Sequence, residues 1–246
     1  MPSRWTFVWR GRGIALLATV IVVAGGILLG QWQTRRGDAK EAMQASMMAR
    51  QAAPEIILDG KASALEMSQG EYSRVLLRGQ FVSGWTIYLD NRPYNDAPGF
   101  YVVTPFKLAD SANIVLVERG WHPRDMNERS KVPALPAIDG MITIRGIIRL
   151  GAGHLLQLGS AEAIRPGLFM QNLDIAEYAK ASGMALLPFV IEQQSDQNSG
   201  GDGLVRDWPA PSLGIERHRG YAVQWYALSL MAVIFFVVTG FRSGKK

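Results

Sequence analysis

The segment from Glu216 to Val238 reads ERHRGYAVQWYALSLMAVIFFVV, and its composition is that of a helix that crosses a membrane. Arg219 and Arg242 bracket 22 residues without a charge, from Gly220 to Phe241. A helix needs about 20 such residues to span the hydrocarbon core of a bilayer. The sequence therefore predicts a transmembrane helix over residues 220–241.

One face of this helix carries an imidazole and two aromatic rings. His218, Tyr221, Ala222, Trp225 and Ser229 recur at the spacing that places side chains on one helical stripe. Tyr and Trp favour the headgroup level of a membrane, so the stripe can be an interfacial belt. It can also hold a flat hydrophobic ligand such as a porphyrin, with His218 on the metal and the rings against the face. The spacing leaves both interpretations open.

A second uncharged run of 22 residues extends from Gly13 to Thr34. Because arginines precede it, a cleavable secretory signal is the rival interpretation. The run is longer than a usual signal core of about 7 to 15 residues, and no small-x-small cleavage site follows it. We therefore predict a first transmembrane helix over residues 13–34. Its glycines Gly26 and Gly30 have the small-xxx-small spacing that predicts close packing against the second helix.

The charge distribution predicts the orientation in the membrane. Six of the 26 basic residues lie in the tails outside the two helices, namely Arg4, Arg10, Arg12, Arg242, Lys245 and Lys246. Positive flanks mark the cytoplasmic side, so the tails 1–12 and 242–246 are expected in the cytoplasm. Residues 35–219 are then expected in the periplasm of a bacterium, with the chain a two-pass protein of the inner membrane.

The other 20 basic residues face 21 acidic ones, so the segment between the helices has no electrostatic footprint for nucleic acid. The lipid bilayer is instead an expected partner. The chain has no cysteine, which excludes disulfides, haem attachment through C-x-x-C-H and thiol redox chemistry.

The segment between the membrane helices predicts a mainly β domain, an antiparallel sandwich or barrel with a minor helix. Short β-branched runs bounded by Gly, Pro, Asn or Asp predict strands at 74–81, 86–91, 101–106, 114–121, 141–148 and 188–192. A helix is predicted over 174–182, with Asn172 or Asp174 as its cap and Gly183 as its stop. The first membrane helix is expected to extend to Pro54, and residues 195–203 are expected to form a flexible linker.

Catalytic signatures do not stand out in the sequence. It lacks G-x-S-x-G, H-E-x-x-H and P-loop motifs, and G-x-G-x-x-G does not follow a strand. His122 and His154 have no spaced partner and are predicted to be surface or turn residues. Glu118 and Asp90 are predicted to be solvated strand ends or members of ion pairs. These features favour a protein that is not an enzyme.

An ordered set of short motifs covers nearly the whole chain. The motifs are Gly30-Gln31-Trp32-Gln33 followed by Arg36 and Lys40; Gly79-Gln80-Phe81; Asn91-Arg92; Pro98-Gly99 with Val103-Thr104-Pro105; Val115 to Pro123; and Arg217-His218 with Tyr221-Ala222-Val223-Gln224-Trp225. In this set the chain resembles the surfeit-locus cytochrome c oxidase assembly family. It departs from the family pattern at Glu118 and Glu216, where the family usually has Asn, and at residues 168–171.

The resemblance implies an assembly factor for haem–copper oxidases that acts on the haem a centre. His218 matches the family histidine associated with haem a binding, so the resemblance implies that His218 binds the haem iron. The helical spacing of Tyr221 and Trp225 makes them the expected wall residues of the same site. The implied partner is the catalytic subunit of the oxidase or the haem a synthesis machinery. The alternative is a structural scaffold that holds an oxidase assembly intermediate without binding haem. A haem-modifying enzyme is a remote third, because no cysteine and three scattered histidines offer little for a redox centre.

Overall fold

The computed structural model describes residues 5–7, 12–58, 70–128, 131, 134–136, 138–153, 155, 162–195, 201–209 and 213–243. The chain divides into two compact units, one of Met1–Ser46 with Pro211–Lys246 and one of Met47–Ala210. We refer to them as the helical unit and the barrel unit. His154, predicted to lie in a turn, falls outside the described residues.

The described residues form three α-helices and ten strands. The helices are α1 (Gly13–Ala52), α2 (Ile175–Ser182) and α3 (Ile215–Gly240). The strands are β1 (Trp5–Phe7), β2 (Ile56–Leu58), β3 (Arg74–Phe81), β4 (Ile87–Leu89), β5 (Gly99–Leu108), β6 (Ile114–Pro123), β7 (Ile142–Arg149), β8 (Phe169–Met170), β9 (Leu186–Gln193) and β10 (Phe241–Ser243).

Helices α1 and α3 are both long and apolar enough to cross a membrane. Their most apolar windows are only 11% and 17% buried within the protein, so most of this apolar surface has no protein covering. The core helix of a soluble domain would bury that surface, whereas a membrane helix exposes it to lipid. Helix α1 continues well past its uncharged run, and it ends just before Pro54.

Small residues let α1 and α3 approach closely. A Cβ added to Gly26 would lie 2.0 Å from Ser229 Oγ, and one added to Gly30 would lie 2.5 Å from the Tyr226 ring. In α3, Ala222, Ser229 and Phe236 recur every seven residues and are all buried. A seven-residue repeat is the spacing of two helices that pack along a shallow seam. At the chain ends, β1 pairs antiparallel with β10.

The barrel unit confirms the predicted mainly β class, and the barrel is the form that it takes. Strands β3, β7, β9, β6 and β5 pair in that order, and β5 pairs again with β3 to close a five-stranded barrel. The β6–β9 pair is parallel, while the other four pairs of the barrel are antiparallel. Strand β2 adds to β3, and β4 with β8 extends the sheet beyond β5.

Two apolar layers form the core of the barrel unit. Alternate residues of the strands fill the inner layer, which includes Val75, Leu77, Phe106, Val117, Ile144, Phe189 and Ile191. The opposite faces of β6 and β9 pack under α2, whose Tyr178 is fully buried and donates its hydroxyl to the Trp85 carbonyl. The Asp174 side chain caps α2 through the N–H groups of Ala176 and Glu177, and Gly183 ends the helix in the left-handed region.

The linker predicted over residues 195–203 is wrong for its last part. Residues 196–200 lie outside the described residues, but Asp202 is buried between two guanidinium groups, those of Arg119 and Arg206. Leu204 and Val205, which follow this stretch, are also held in place, since Leu204 is buried and Val205 bridges to Trp121. A composition rich in Gly, Ser and Asn favours mobility, but a buried ion pair holds this end of the stretch in place.

Glu118 also differs from its prediction, since its side chain is 2% exposed and makes no ion pair among the described residues. Asp90, by contrast, pairs with Arg124 as predicted. Burial, helped by the neighbouring Glu192 carboxylate, raises the pKa of Glu118 to about 8, while Arg92 and Arg149 oppose the shift. The side chain is therefore a neutral acid at pH 7, which can donate a hydrogen bond as an amide does.

Candidate functional site

His218 lies in the first turns of α3, half-buried, with its ring directed to α1. Its Nδ1 lies 2.7 Å from the Oε1 of Gln33. An amide oxygen can only accept a hydrogen bond, so the protonated Nδ1 of His218 is the donor and Gln33 Oε1 is the acceptor. In the neutral ring, Nε2 then keeps its lone pair, which is the form in which an imidazole binds a metal. The hydrogen bond to Gln33 thereby fixes the orientation of the imidazole.

Helix α1 passes close to His218 at Gly37. A Cβ added to Gly37 would lie 3.8 Å from His218 Cβ and 3.6 Å from Arg219 Nε. One turn further, Lys40 Nζ donates to the Leu213 carbonyl at 2.6 Å. Arg219 pairs with Asp38 at 3.0 Å and with Glu41 at 2.8 Å. Hydrogen bonds and ion pairs therefore hold the start of α3 against α1 around the imidazole.

The predicted stripe on α3 divides between two roles. Ala222 and Ser229 are buried, and Ser229 lies against Gly26 of α1. Tyr221 is 50% exposed, and Trp225 is half-buried. The two rings thus lie one and two turns along the helix from His218 with surface left for a ligand or for lipid, whereas the small residues serve helix packing.

Gln33 is the site residue that reasoning from the sequence missed. Gln33 is 185 residues from His218 in the chain, and no local sequence pattern at either residue predicts the contact between them. The only available signal was its spacing on α1, since Gln33, Arg36, Gly37 and Lys40 share one face of that helix.

The described residues contain no group of three or more His, Asp or Glu side chains placed to hold a metal ion.

The other family-like motif residues lie in the barrel unit, where they pack against each other. Trp121 Nε1 donates to the Arg92 carbonyl at 2.6 Å, and a Cβ on Gly99 would lie 2.3 Å from the Trp121 ring. The Arg92 guanidinium donates to the carbonyls of Ala152 and Gln171, each at 3.2 Å. These residues fix the ends of the strands. His122 lies beside them with its ring stacked on Phe100, at a centroid distance of 5.4 Å.

The described residues of the barrel unit line two clefts of about 580 and 380 Å³. The larger one is lined mainly by charged and polar side chains, among them Glu71, Arg149, Asp174 and Glu177. Histidine and aromatic side chains are missing from the described lining of both clefts. Neither offers the apolar walls or the nitrogen ligand that a metal macrocycle requires.

These features define a membrane protein with two spanning helices and, between them in the sequence, a five-stranded barrel domain. The model of the SURF1 family matches residues 20–230, and the chain belongs to that family.

Relatives extend over most of the chain. A SURF1-like protein of Monosiga brevicollis is 25% identical over 96% of this chain and 91% of its own length. A SURF1-like protein of Rickettsia conorii is 28% identical over 86% of this chain and 85% of its own length. The cytochrome oxidase assembly protein SHY1 of Saccharomyces cerevisiae is 31% identical over 38% of this chain and 24% of its own length. The two helices and the Rickettsia relative fit a bacterial two-pass membrane protein.

Proposed function

We propose that this protein assists the assembly of a haem–copper cytochrome oxidase by holding haem a at His218. Membership of the SURF1 family and the likeness to a yeast oxidase assembly protein support the assembly role. The observation that carries the haem proposal is the hydrogen bond from His218 Nδ1 to Gln33, which leaves Nε2 for iron.

The residues of the helical unit fit a haem. His218 would hold the iron through Nε2, and Tyr221 and Trp225 would supply aromatic faces on the same side of α3. A bound haem would supply an iron centre, which His218 would hold. The chain's own contribution is to orient the imidazole and shield the ligand from water, without catalysis.

The proposed setting is the bacterial inner membrane, with both chain ends in the cytoplasm and residues 35–219 in the periplasm. The six cationic residues of the tails support this orientation. The proposed partner is the catalytic subunit of the oxidase or the haem a synthesis machinery.

The test is a comparison of pigments in protein purified from cells that make haem a. The wild-type protein should carry a Soret band, and His218→Ala should abolish or strongly shift it. Membrane insertion should not change, because the 22 uncharged residues that drive it are untouched. His122→Ala serves as the control, since His122 lies in β6 of the barrel unit. A full, unshifted Soret band in His218→Ala would place the haem elsewhere and return the stripe to an interfacial belt.

A structural scaffold is the second candidate, and the barrel unit is what favours it. Its motif residues Arg92, Gly99 and Trp121 pack against each other instead of lining a cleft for a macrocycle. A scaffold would hold an oxidase intermediate on the barrel surface and bind no pigment. A colourless wild-type protein that still supports oxidase assembly would favour the scaffold.

A further inference from the structure

Three cations of α1 and α3 lie near enough to His218 for their charges to act on its imidazole. On α1, Arg36 and Lys40 follow Gln33 at three and seven residues, which places all three side chains on one helical face. That face is turned to the start of α3, because Gln33 contacts His218 and Lys40 contacts Leu213. Arg217 precedes His218 on α3. The charges of Lys40, Arg36 and Arg217 all act on the His218 ring.

These three charges are not neutralised within the part of the chain that the structure describes. The nearby acids Asp38 and Glu41 pair with Arg219, which leaves Arg36, Lys40 and Arg217 without a carboxylate partner among the described residues. Lys40 meets only a backbone carbonyl. Three like charges near one imidazole repel each other, so an anion bound between them would be stabilised.

The orientation of the membrane helices makes the cluster unusual. Arginine and lysine are favoured on the cytoplasmic side of a spanning helix, yet these three lie at the opposite end from the basic tails. They lie beside His218, and a haem carries two carboxylates beside its apolar ring. The aromatic rings of Tyr221 and Trp225 follow on the membrane side of His218 in the sequence of α3.

We infer that Arg36, Lys40 and Arg217 bind the carboxylates of the haem whose iron is held by His218. This inference rests on the proposed function. Guanidinium groups suit the task, because their planar fork matches the geometry of a carboxylate and their charge does not titrate. The anionic edge of the ligand is thereby kept at the membrane surface, while its apolar part lies along α3.

The test measures the affinity of the full-length, solubilised protein for iron protoporphyrin IX and for its dimethyl ester, which lacks the two negative charges. Exposed ion pairs each contribute a factor of about two to five, so the wild type should prefer the free acid by about tenfold. The double variant Arg36→Gln/Arg217→Gln should lose most of this preference, keeping only the share of about two- to fivefold that Lys40 contributes, and should bind the ester as the wild type does. Lys40 is left in place because it also holds Leu213.

The matched control is Arg35→Gln, which removes an exposed neighbouring cation on a different face of α1 and should keep the preference. If the double variant still prefers the free acid by about tenfold, the carboxylates bind elsewhere and the inference is wrong. In that case the loss of binding in His218→Ala would still support the proposed function. A wild-type protein that binds neither porphyrin would refute both.

Anionic lipid is the competing occupant. The same titrations are repeated in nanodiscs of phosphatidylcholine alone and in nanodiscs that contain phosphatidylglycerol. The inference requires the preference for the free acid to appear in phosphatidylcholine alone. A double variant that differs from the wild type only in the presence of phosphatidylglycerol would assign the cations to lipid headgroups and overturn the inference.

Discussion

Replacement of Glu118 by Gln should remove a pH dependence from the stability of the barrel unit. The Glu118 side chain is buried, and its Oε1 has no hydrogen-bond partner among the residues that the structure describes. It lies beside Glu192 in the parallel β6–β9 pair, and the Arg149 guanidinium is engaged by Glu192 at 2.8 Å. Burial and the Glu192 carboxylate raise the pKa of Glu118 from its ordinary 4.5 to about 8.

The sign of the effect follows from the raised pKa. The folded state holds the Glu118 proton more tightly than the unfolded state does, so the stability that this group contributes is fully present below about pH 4.5. It is lost as the pH rises through about 8. Within this window, each pH unit changes the free energy of unfolding by about 1.4 kcal/mol. Between pH 5.5 and 7.5, the wild type should therefore lose about 2–3 kcal/mol relative to Glu118→Gln, which does not titrate.

Hydrogen exchange of the β6 amides in the full-length protein measures this difference. Comparison of the variant with the wild type at the same pH cancels the intrinsic pH dependence of exchange. The ratio of the protection factor of Glu118→Gln to that of the wild type should change by about 100-fold between pH 5.5 and pH 7.5. The control is Glu177→Gln, which makes the same chemical change at an exposed position of α2 and should leave the ratio constant. A ratio for Glu118→Gln that is equal at both pH values would show that the carboxyl is ionised in the fold, contrary to our reasoning.

Three further predictions concern the helices, the ion pair and the topology. Gly26→Val should lower the melting temperature of the solubilised protein more than Gly25→Val does. A Cβ at Gly26 meets Ser229 and Trp225, whereas a Cβ at Gly25 has nothing within 4 Å. Equal effects of the two substitutions would argue against the contact between α1 and α3. Asp202→Asn should lower the free energy of unfolding, measured in urea, by roughly 3–5 kcal/mol, because Arg119 and Arg206 are buried and lose this carboxylate. An unchanged free energy of unfolding would mean that the ion pairs of Asp202 do not stabilise the fold. Reporter fusions after Lys246 should be active only in the cytoplasmic format and fusions near Ser199 only in the periplasmic one; the reverse pattern would invert the proposed orientation.

Local patterns in the sequence predicted most of the elements. Each predicted element has a signal within its own residues: two long uncharged runs for α1 and α3, and β-branched residues between turn formers for the strands. The short strands β1, β2, β8 and β10 were not predicted. Strand β3 spans the predicted residues 74–81, and Asp174 and Gly183 bound α2 through capping interactions that are local in the chain. The single histidine before an apolar run marked His218 as a candidate in the same way.

Only the tertiary structure decided which of these elements meet. Closure of the barrel depends on the β3–β5 and β6–β9 pairs, which no local pattern specifies. The burial that keeps Glu118 neutral and the arginines that fix Asp202 come from distant segments, so composition suggested a solvated strand end and a flexible linker. Gln33 meets His218 across 185 residues because α1 and α3 pack through glycines. The local sequence predicts the secondary structure of each segment, whereas the protonation and orientation of a side chain depend on the distant residues that folding places beside it.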